Sequence, residues 1–292
     1  MGETFAIQIP YNIVVITPEL VRQVNYRIAA IGHQIQFENL YAMAQNTETG
    51  AYRVEGKVKT GTSAIDIDDL EIPMTLEGVE YKGTTTHPRR IRLFNIPECI
   101  ENVIGWSKAR GILSNGKWQT QCTKFYEEDG EAATGISKTK HRLIMDGLGD
   151  ALVVLTNVLA LTRGHAIEIS AAVTAVRGMP SPMGDSHYLF HKLRLNTTKM
   201  FDLAYEVQGF NREFENVEPR SEADIELEFT ELLTKSLAYF NALASAYDMT
   251  LEQCFSLAWD EIKDRKGFLN ADGIFVKEAD MTAEQKAAQG SL

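Results

Sequence analysis

Two short acidic runs hold the side chains best placed to do chemistry in this chain. Glu127, Glu128 and Glu131 fall in Lys124-Phe-Tyr-Glu-Glu-Asp-Gly-Glu131, and Asp146 and Asp150 in Met145-Asp-Gly-Leu-Gly-Asp150. Glu128 and Glu131 are three apart and Asp146 and Asp150 four apart, so each pair shares one face of a helix. The second run continues into Ala151-Leu-Val-Val-Leu-Thr-Asn157-Val-Leu-Ala-Leu161, almost wholly apolar, the pattern of a helix buried in a bundle. Its polar residues therefore need a reason, and Asn157 lies two turns beyond Asp150 on the same face. Side-by-side packing of the two helices would bring the carboxylates together near the core, where they repel unless protonated or neutralised by a cation. A hard, oxygen-seeking ion such as Mg²⁺ meets that need, and it would also bridge phosphate oxygens and activate water. Against this stands a plainer reading. Acidic residues also complement helix starts, and Glu-Glu-Asp-Gly-Glu alone is most often a solvated face.

The elements that must carry these residues separate into two parts. Up to about residue 100, Phe5–Ile9, Ile13–Ile16, Tyr52–Lys59, Ala64–Ile72, Val79–Tyr81 and Arg90–Phe94 read as strands. Thr17-Pro-Glu-Leu has the chemistry of a helix start, with a helix to about Ile31. His87-Pro-Arg-Arg90 reads as a turn, and Asp66 and Asp68 as a solvated strand face. Pro97 marks the expected boundary. Beyond it the periodicity predicts helices at about 98–109, 117–136, 139–163, 166–177, 187–215, 222–247 and 250–266, with a Gly- and Pro-broken loop at 177–184. The expected class is mainly α: a helical bundle over 101–280 preceded by a small α+β domain over 1–100, with a frayed tail over 281–292.

Composition bounds the function. The chain has 292 residues, 44% hydrophobic and 24% charged, with a net charge of −11. Those are globular values, and the negative charge disfavours a nucleic-acid polymer as partner. No apolar run of membrane-spanning length lacks a charge, and no basic-then-apolar leader opens the chain. Cys99, Cys122 and Cys254 are scattered, as expected of reduced cytoplasmic thiols.

The helical part reads as containing itself twice. Asn157 and Glu168 recur as Asn241 and Glu252, each 84 residues on, and Glu128 recurs as Glu206 at an offset of 78. Copy one spans 101–180 and copy two 187–280. The second copy keeps Glu206 and Glu231 but has Gly209 opposite Glu131 and Thr234 opposite Asp150, so it reads as degenerate and the whole as a tandem pseudo-dimer.

The order of these motifs resembles the all-α nucleotide pyrophosphohydrolases of the MazG type. There one helix carries Glu-x-x-Glu, the next Glu-x-x-Asp, and an Asn follows two turns later. Glu128-x-x-Glu131, Asp150 and Asn157 match, with Glu127 as the extra acidic neighbour. Trp106-Ser-Lys-Ala-Arg110-Gly-Ile112 and Gln121-x-x-Lys124 are similar to the family's lead-in. Trp259-Asp-Glu-Ile-Lys263-Asp-Arg265-Lys266-Gly and Gly273-Ile-Phe-Val-Lys277-Glu are similar to its C-terminal signature. The resemblance covers roughly residues 104–163 and 239–278. It departs at Gly147, where the family has Glu, and Asp146 stands one position earlier, about 100° round the helix.

The resemblance implies Mg²⁺-dependent hydrolysis, with Mn²⁺ as a substitute, of a nucleoside triphosphate to monophosphate and pyrophosphate. Glu128, Glu131 and Asp150 would ligate the metal, with Asp146 as a fourth ligand. Glu127 and Glu128 would be catalytic, Glu127 by orienting or deprotonating water. Lys124, Arg110, Lys263, Arg265 and Lys266 would meet the phosphates, and Asn157 the base or sugar. A cytoplasmic homo-oligomer acting on a small-molecule nucleotide is implied, with no membrane partner. The carboxylate missing at 147 leaves an alternative, a catalytically impaired nucleotide-binding or interaction module.

Overall fold

The structure, a computed structural model, describes residues 3–32, 35–59, 71–163, 168–207, 220–270, 273–278 and 281. The chain forms two compact units, one of Ala6–Arg90 and the other of Met1–Phe5 with Ile91–Leu292. The division falls at Ile91 and not near residue 100.

The smaller unit is built on β1 (Thr4–Val14), α1 (Pro18–Ala30), β2 (Phe37–Asn46), β3 (Tyr52–Val58), β4 (Glu71–Ile72) and β5 (Tyr81–Arg92), with the sheet order β4-β3-β2-β1-β5. β1–β2, β2–β3 and β3–β4 pair antiparallel. Thr17 caps α1 by accepting the Leu20 amide, and Pro18 opens the first turn, so the helix start lies where Thr-Pro places it. The apolar face of α1 (Leu20, Val24, Ile28) meets Phe37, Met43, Val54 and Ile72 from the sheet.

This sheet corrects the expected class. Among the described residues, five strands here, with a two-stranded hairpin in the other unit, make the chain α+β and not a mainly α bundle. Two local expectations also change. β2 falls where no strand is expected, and its burial repeats every third residue from Phe37 to Asn46. Register shifts between Phe37 and Asn39 and between Leu40 and Ala42 break the two-residue alternation by which strands are read. His87-Pro-Arg-Arg90 lies inside β5 and is not a turn. β5 is an edge strand, the place in a sheet where proline is tolerated. Asp66 and Asp68 lie outside the described residues.

The larger unit runs α2 (Ile96–Ala109), α3 (Ile112–Asn115), α4 (Trp118–Ser137), α5 (His141–Arg163), α6 (Glu168–Arg177), α7 (Ser186–Val207), α8 (Glu222–Ser245) and α9 (Leu251–Ile262), then the hairpin strands β6 (Gly267–Leu269) and β7 (Phe275–Lys277). Asn95 and Glu98 form a capping box that starts α2, with Pro97 in its first turn; Thr250 and Gln253 do the same for α9. α4, α5 and α6 have 20, 23 and 10 residues and are followed by α7, α8 and α9 with 22, 24 and 12.

α5 is the spine, packed along α4 on one side and α9 on another. Two glycines allow this. A Cβ at Gly147 would stand 2.6 Å from the Ala132 amide nitrogen of α4, and one at Gly149 2.2 Å from the Cys254 carbonyl oxygen of α9. α5 is also the one helix among the described residues long and apolar enough to cross a membrane. Of that stretch 72% is buried inside the protein, as in a core helix and not a lipid-facing one.

Candidate functional site

α4, α5, the end of α9 and the hairpin enclose a pocket of about 640 Å³. Lys124, Glu127 and Glu128 reach it from α4, Asp150 and Asn157 from α5, and Arg265 and Lys277 from the C-terminal segment. Trp106, Ile112, Ile262 and Phe275 supply its apolar surface. The hairpin closes one side. Gly267 pairs with Lys277 and Leu269 with Phe275, while the Glu278 amide bonds the Lys266 carbonyl at 2.9 Å. Charged groups and an apolar wall thus share one cavity.

The acidic end is strongly unbalanced. Glu128 is buried and Glu127 largely exposed, and one cation bridges them: Lys124 Nζ lies 2.8 Å from each carboxylate. Burial opposes the charge on Lys124, but the bonds from Glu127 and Glu128 outweigh it and raise its pKa. Asp150 keeps a window onto the pocket yet is closely enclosed. Burial first, then Glu128 and Glu261, push its carboxyl up to about 7, against the opposing pull of Arg265. Glu131 is exposed beside them, raised by burial and then by Glu128, with Lys124 and Lys277 opposing.

Asp146 is placed differently. Arg142 lies 3.5 Å from it and also pairs with Glu261 of α9. Burial and the Glu261 charge drive the Asp146 pKa well up, and Asp146 does not line the pocket. The candidate fourth ligand thus belongs to a cluster between α5 and α9. Position 147 cannot supply the carboxylate in its place, because its missing side chain is what lets α4 approach.

Other expected residues separate as clearly. Arg110 does not line the pocket. Its Nε and Nη2 both donate to the Arg265 carbonyl, at 2.9 and 2.7 Å, and its guanidinium lies over the Trp106 ring at 4.5 Å. It straps the C-terminal segment from outside the pocket lining. Lys263 pairs with Asp260 at 2.6 Å and Lys266 is exposed; neither lines the pocket. In the second helix triplet Glu206 pairs with Arg220 at 3.7 Å and Glu231 with Lys235 at 3.1 Å, both outside the pocket. Thr234 bonds the Thr230 carbonyl at 2.9 Å, and Gly209 lies outside the described residues.

Three contributors were not singled out as site residues from sequence. Glu261 joins the electrostatics of Asp146 and Asp150, Lys277 lines the pocket, and Ser107 bonds Asn157. Glu261 and Lys277 sit within the C-terminal motifs, a signal that marks the segment without saying which side chains turn inward. Asp129, inside the acidic run, is buried 3.4 Å from Arg194 of α7 and does not line the pocket; burial pushes its carboxyl up to about 6.

The fit to a metal is one of donor chemistry. Glu128 and Asp150 offer hard oxygens at the pocket floor with Glu131 beside them, and Asp150 carries a charge its neighbours penalise, which is what a divalent cation relieves. Among the described residues no three such side chains stand close enough to hold one ion in their present rotamers. Lys124 is the cation in contact with Glu128.

A stretch of 61 residues, 21% of the chain, is 33% identical to an uncharacterized 18.2 kDa protein of the rep–hol intergenic region of Haemophilus phage HP1 (strain HP1c1). The match covers 37% of that protein, so the chain spans little more than a third of its length. No protein-family model and no solved structure matches the chain.

Proposed function

We propose that the pocket hydrolyses a (deoxy)nucleoside triphosphate to the monophosphate and pyrophosphate with Mg²⁺, as in the MazG-type enzymes whose motifs the chain resembles. The observation that carries this reading is the convergence of Glu128, Asp150, Lys124, Arg265 and Asn157 on one cavity that also has an aromatic wall. Glu128, Asp150 and Glu131 would hold the ion, which supplies positive charge to the triphosphate oxygens. Arg265, Lys277 and Lys124 bind and orient those oxygens. Glu127, exposed at the rim, orients a water toward the α-phosphorus and takes its proton. The new P–O bond forms as the α–β bridging P–O bond breaks, and pyrophosphate leaves. Asn157 contacts the nucleoside. Cytoplasmic location and a homo-oligomeric state belong to the same proposal.

One observation favours a second reading, a nucleotide-binding module impaired in catalysis. The carboxylate position at 147 is filled by the backbone of α4, and Asp146 is engaged by Arg142 and Glu261. One experiment separates the two: pyrophosphate release and nucleotide binding, side by side, for the parent and Glu128→Gln in Mg²⁺. Release that needs Glu128 supports the enzyme. Binding without release supports the module. Neither binding nor release, in folded protein, refutes both.

A further inference from the structure

Two turns along α5 from Asp150, roughly 10 Å, three polar side chains from three helices form a relay. Ser107 of α2 is wholly buried, at 0% exposed, and its hydroxyl donates to Asn157 Oδ1 at 2.7 Å. With Oδ1 engaged, Asn157 turns its amide nitrogen toward α4, where Nδ2 donates to Gln121 Oε1 over a long 3.4 Å. Asn157 and Gln121 line the pocket; Ser107 stands behind them and does not.

The direction of this relay follows from what each group can do. A hydroxyl has one proton to give, and a carboxamide has one oxygen to accept and two N–H to donate. Once the Ser107 proton is spent on Asn157 Oδ1 and one Asn157 N–H on Gln121 Oε1, the relay keeps more donors than acceptors: the second Nδ2 hydrogen of Asn157 and both Nε2 hydrogens of Gln121, against one lone pair on each carboxamide oxygen. Trp106, which also lines the pocket, has its indole N–H buried with no hydrogen-bond partner among the described residues. Buried donors left unmet are costly, so a lining of this kind favours a ligand that brings lone pairs to it.

We propose that Ser107 is a positioning residue: it fixes Asn157, and through it Gln121, with N–H groups toward the pocket, so that the nucleoside is selected by an oxygen or nitrogen acceptor it presents there. This inference rests on the pyrophosphohydrolase reading and adds to it the sense of the recognition. A nucleoside offering only N–H groups at this wall is disfavoured, because the relay has more donors to satisfy than acceptors to offer.

The test compares three kinds of triphosphate in Mg²⁺: a panel of nucleoside triphosphates, ribose 5-triphosphate without a base, and inorganic tripolyphosphate with neither base nor sugar. The readout is the ratio of kcat/KM for each organic substrate to that for tripolyphosphate, in the parent, Ser107→Ala and Gln121→Glu. Ser107→Ala is expected to lower the ratio for the preferred nucleotide about tenfold, the effect of one oriented hydrogen bond, and through KM more than kcat. Gln121→Glu, on the half-buried side of the relay, replaces the last donor by an acceptor and is expected to lower it at least as far. It keeps the test valid should the buried substitution disturb folding. Loss with nucleotides but not ribose 5-triphosphate places the acceptor on the base; loss with both places it on the sugar. A parent that turns over nucleotides while both variants keep the ratio within about twofold overturns the inference alone. A parent that turns over no triphosphate overturns it together with the reading it rests on.

Discussion

Replacing Asp150 by Asn should make the metal-free protein more stable at pH 8 and no more stable at pH 4. In the folded protein burial, Glu128 and Glu261 lift the Asp150 carboxyl to about 7 from an ordinary 3.8. Between those two values the folded chain binds more protons than the unfolded one. Stability therefore falls as pH rises through the window, and the loss is complete above about 7. At about 1.36 kcal/mol per tenfold change in proton affinity, the ionised side chain costs the fold about 4 kcal/mol at pH 8. Asn has nearly the same shape without the charge, but its amide needs partners, and leaving one unmet costs about 1–3 kcal/mol. A net gain of about 1–3 kcal/mol remains at pH 8 and shrinks toward zero or below at pH 4, where the parent carboxyl is already neutral. The assay is urea unfolding in EDTA at pH 4, 6 and 8, followed by tryptophan fluorescence. Trp106, Trp118 and Trp259 all lie in the larger unit, so the signal reports the fold around the pocket. Mg²⁺ added at pH 8 should stabilise the parent and not the variant, because only the parent keeps the full set of carboxylates. A variant no more stable than the parent at pH 8, or one with the same advantage at pH 4, would refute the account of Asp150 as a penalised buried charge.

Other substitutions test neighbouring parts. Gly147→Ala places a Cβ 2.6 Å from the Ala132 amide and should cost about 1–3 kcal/mol in urea unfolding. Gly147→Glu, which installs the carboxylate of the MazG-type motif, should cost at least as much in urea unfolding and raise pyrophosphate release no higher than the parent's, in contrast to what motif repair alone would suggest. Arg110→Met removes both donors to the Arg265 carbonyl and should destabilise by about 1.5–3 kcal/mol, with KM raised more than kcat is lowered. Steady-state kinetics on folded variant would show this, and an unchanged KM would count against the strap. Cys99, Cys122 and Cys254 are buried, with burial pushing each thiol up to about 12. A disulfide thiol reagent at pH 8 should therefore leave all three unmodified until denaturant is added; prompt reaction would show that the larger unit opens.

The legible parts of this chain are those whose signal is local. The helix-start chemistry of Thr17-Pro18 and the long apolar run after Asp150 lie in helices of nearly the expected extent, because N-caps and 3.6-residue periodicity act over a few residues. β2 was not legible, since its register shifts remove the alternation that marks a strand. At the pocket, Glu127, Glu128, Asp150 and Asn157 come together because spacing along α4 and α5 aligns them once the two helices pack. Spacing does not reveal which charge across the fold engages a carboxylate. Asp146 shares a helix face with Asp150, yet Glu261 of α9, 115 positions later, and Arg142 engage it. Arg110 has the charge to meet a phosphate, but its nitrogens are committed to a backbone carbonyl that only the tertiary fold brings near.

The role proposed for the carboxylates of this pocket is Mg²⁺-dependent cleavage of a triphosphate. Its most direct test is pyrophosphate release from the panel of ribo- and deoxynucleoside triphosphates at pH 8 in Mg²⁺, parent against Asp150→Asn. The expected result is release by the parent and a loss of at least about a hundredfold in a variant that is folded and more stable. Equal release by the two proteins, or none from either with both folded, would contradict it.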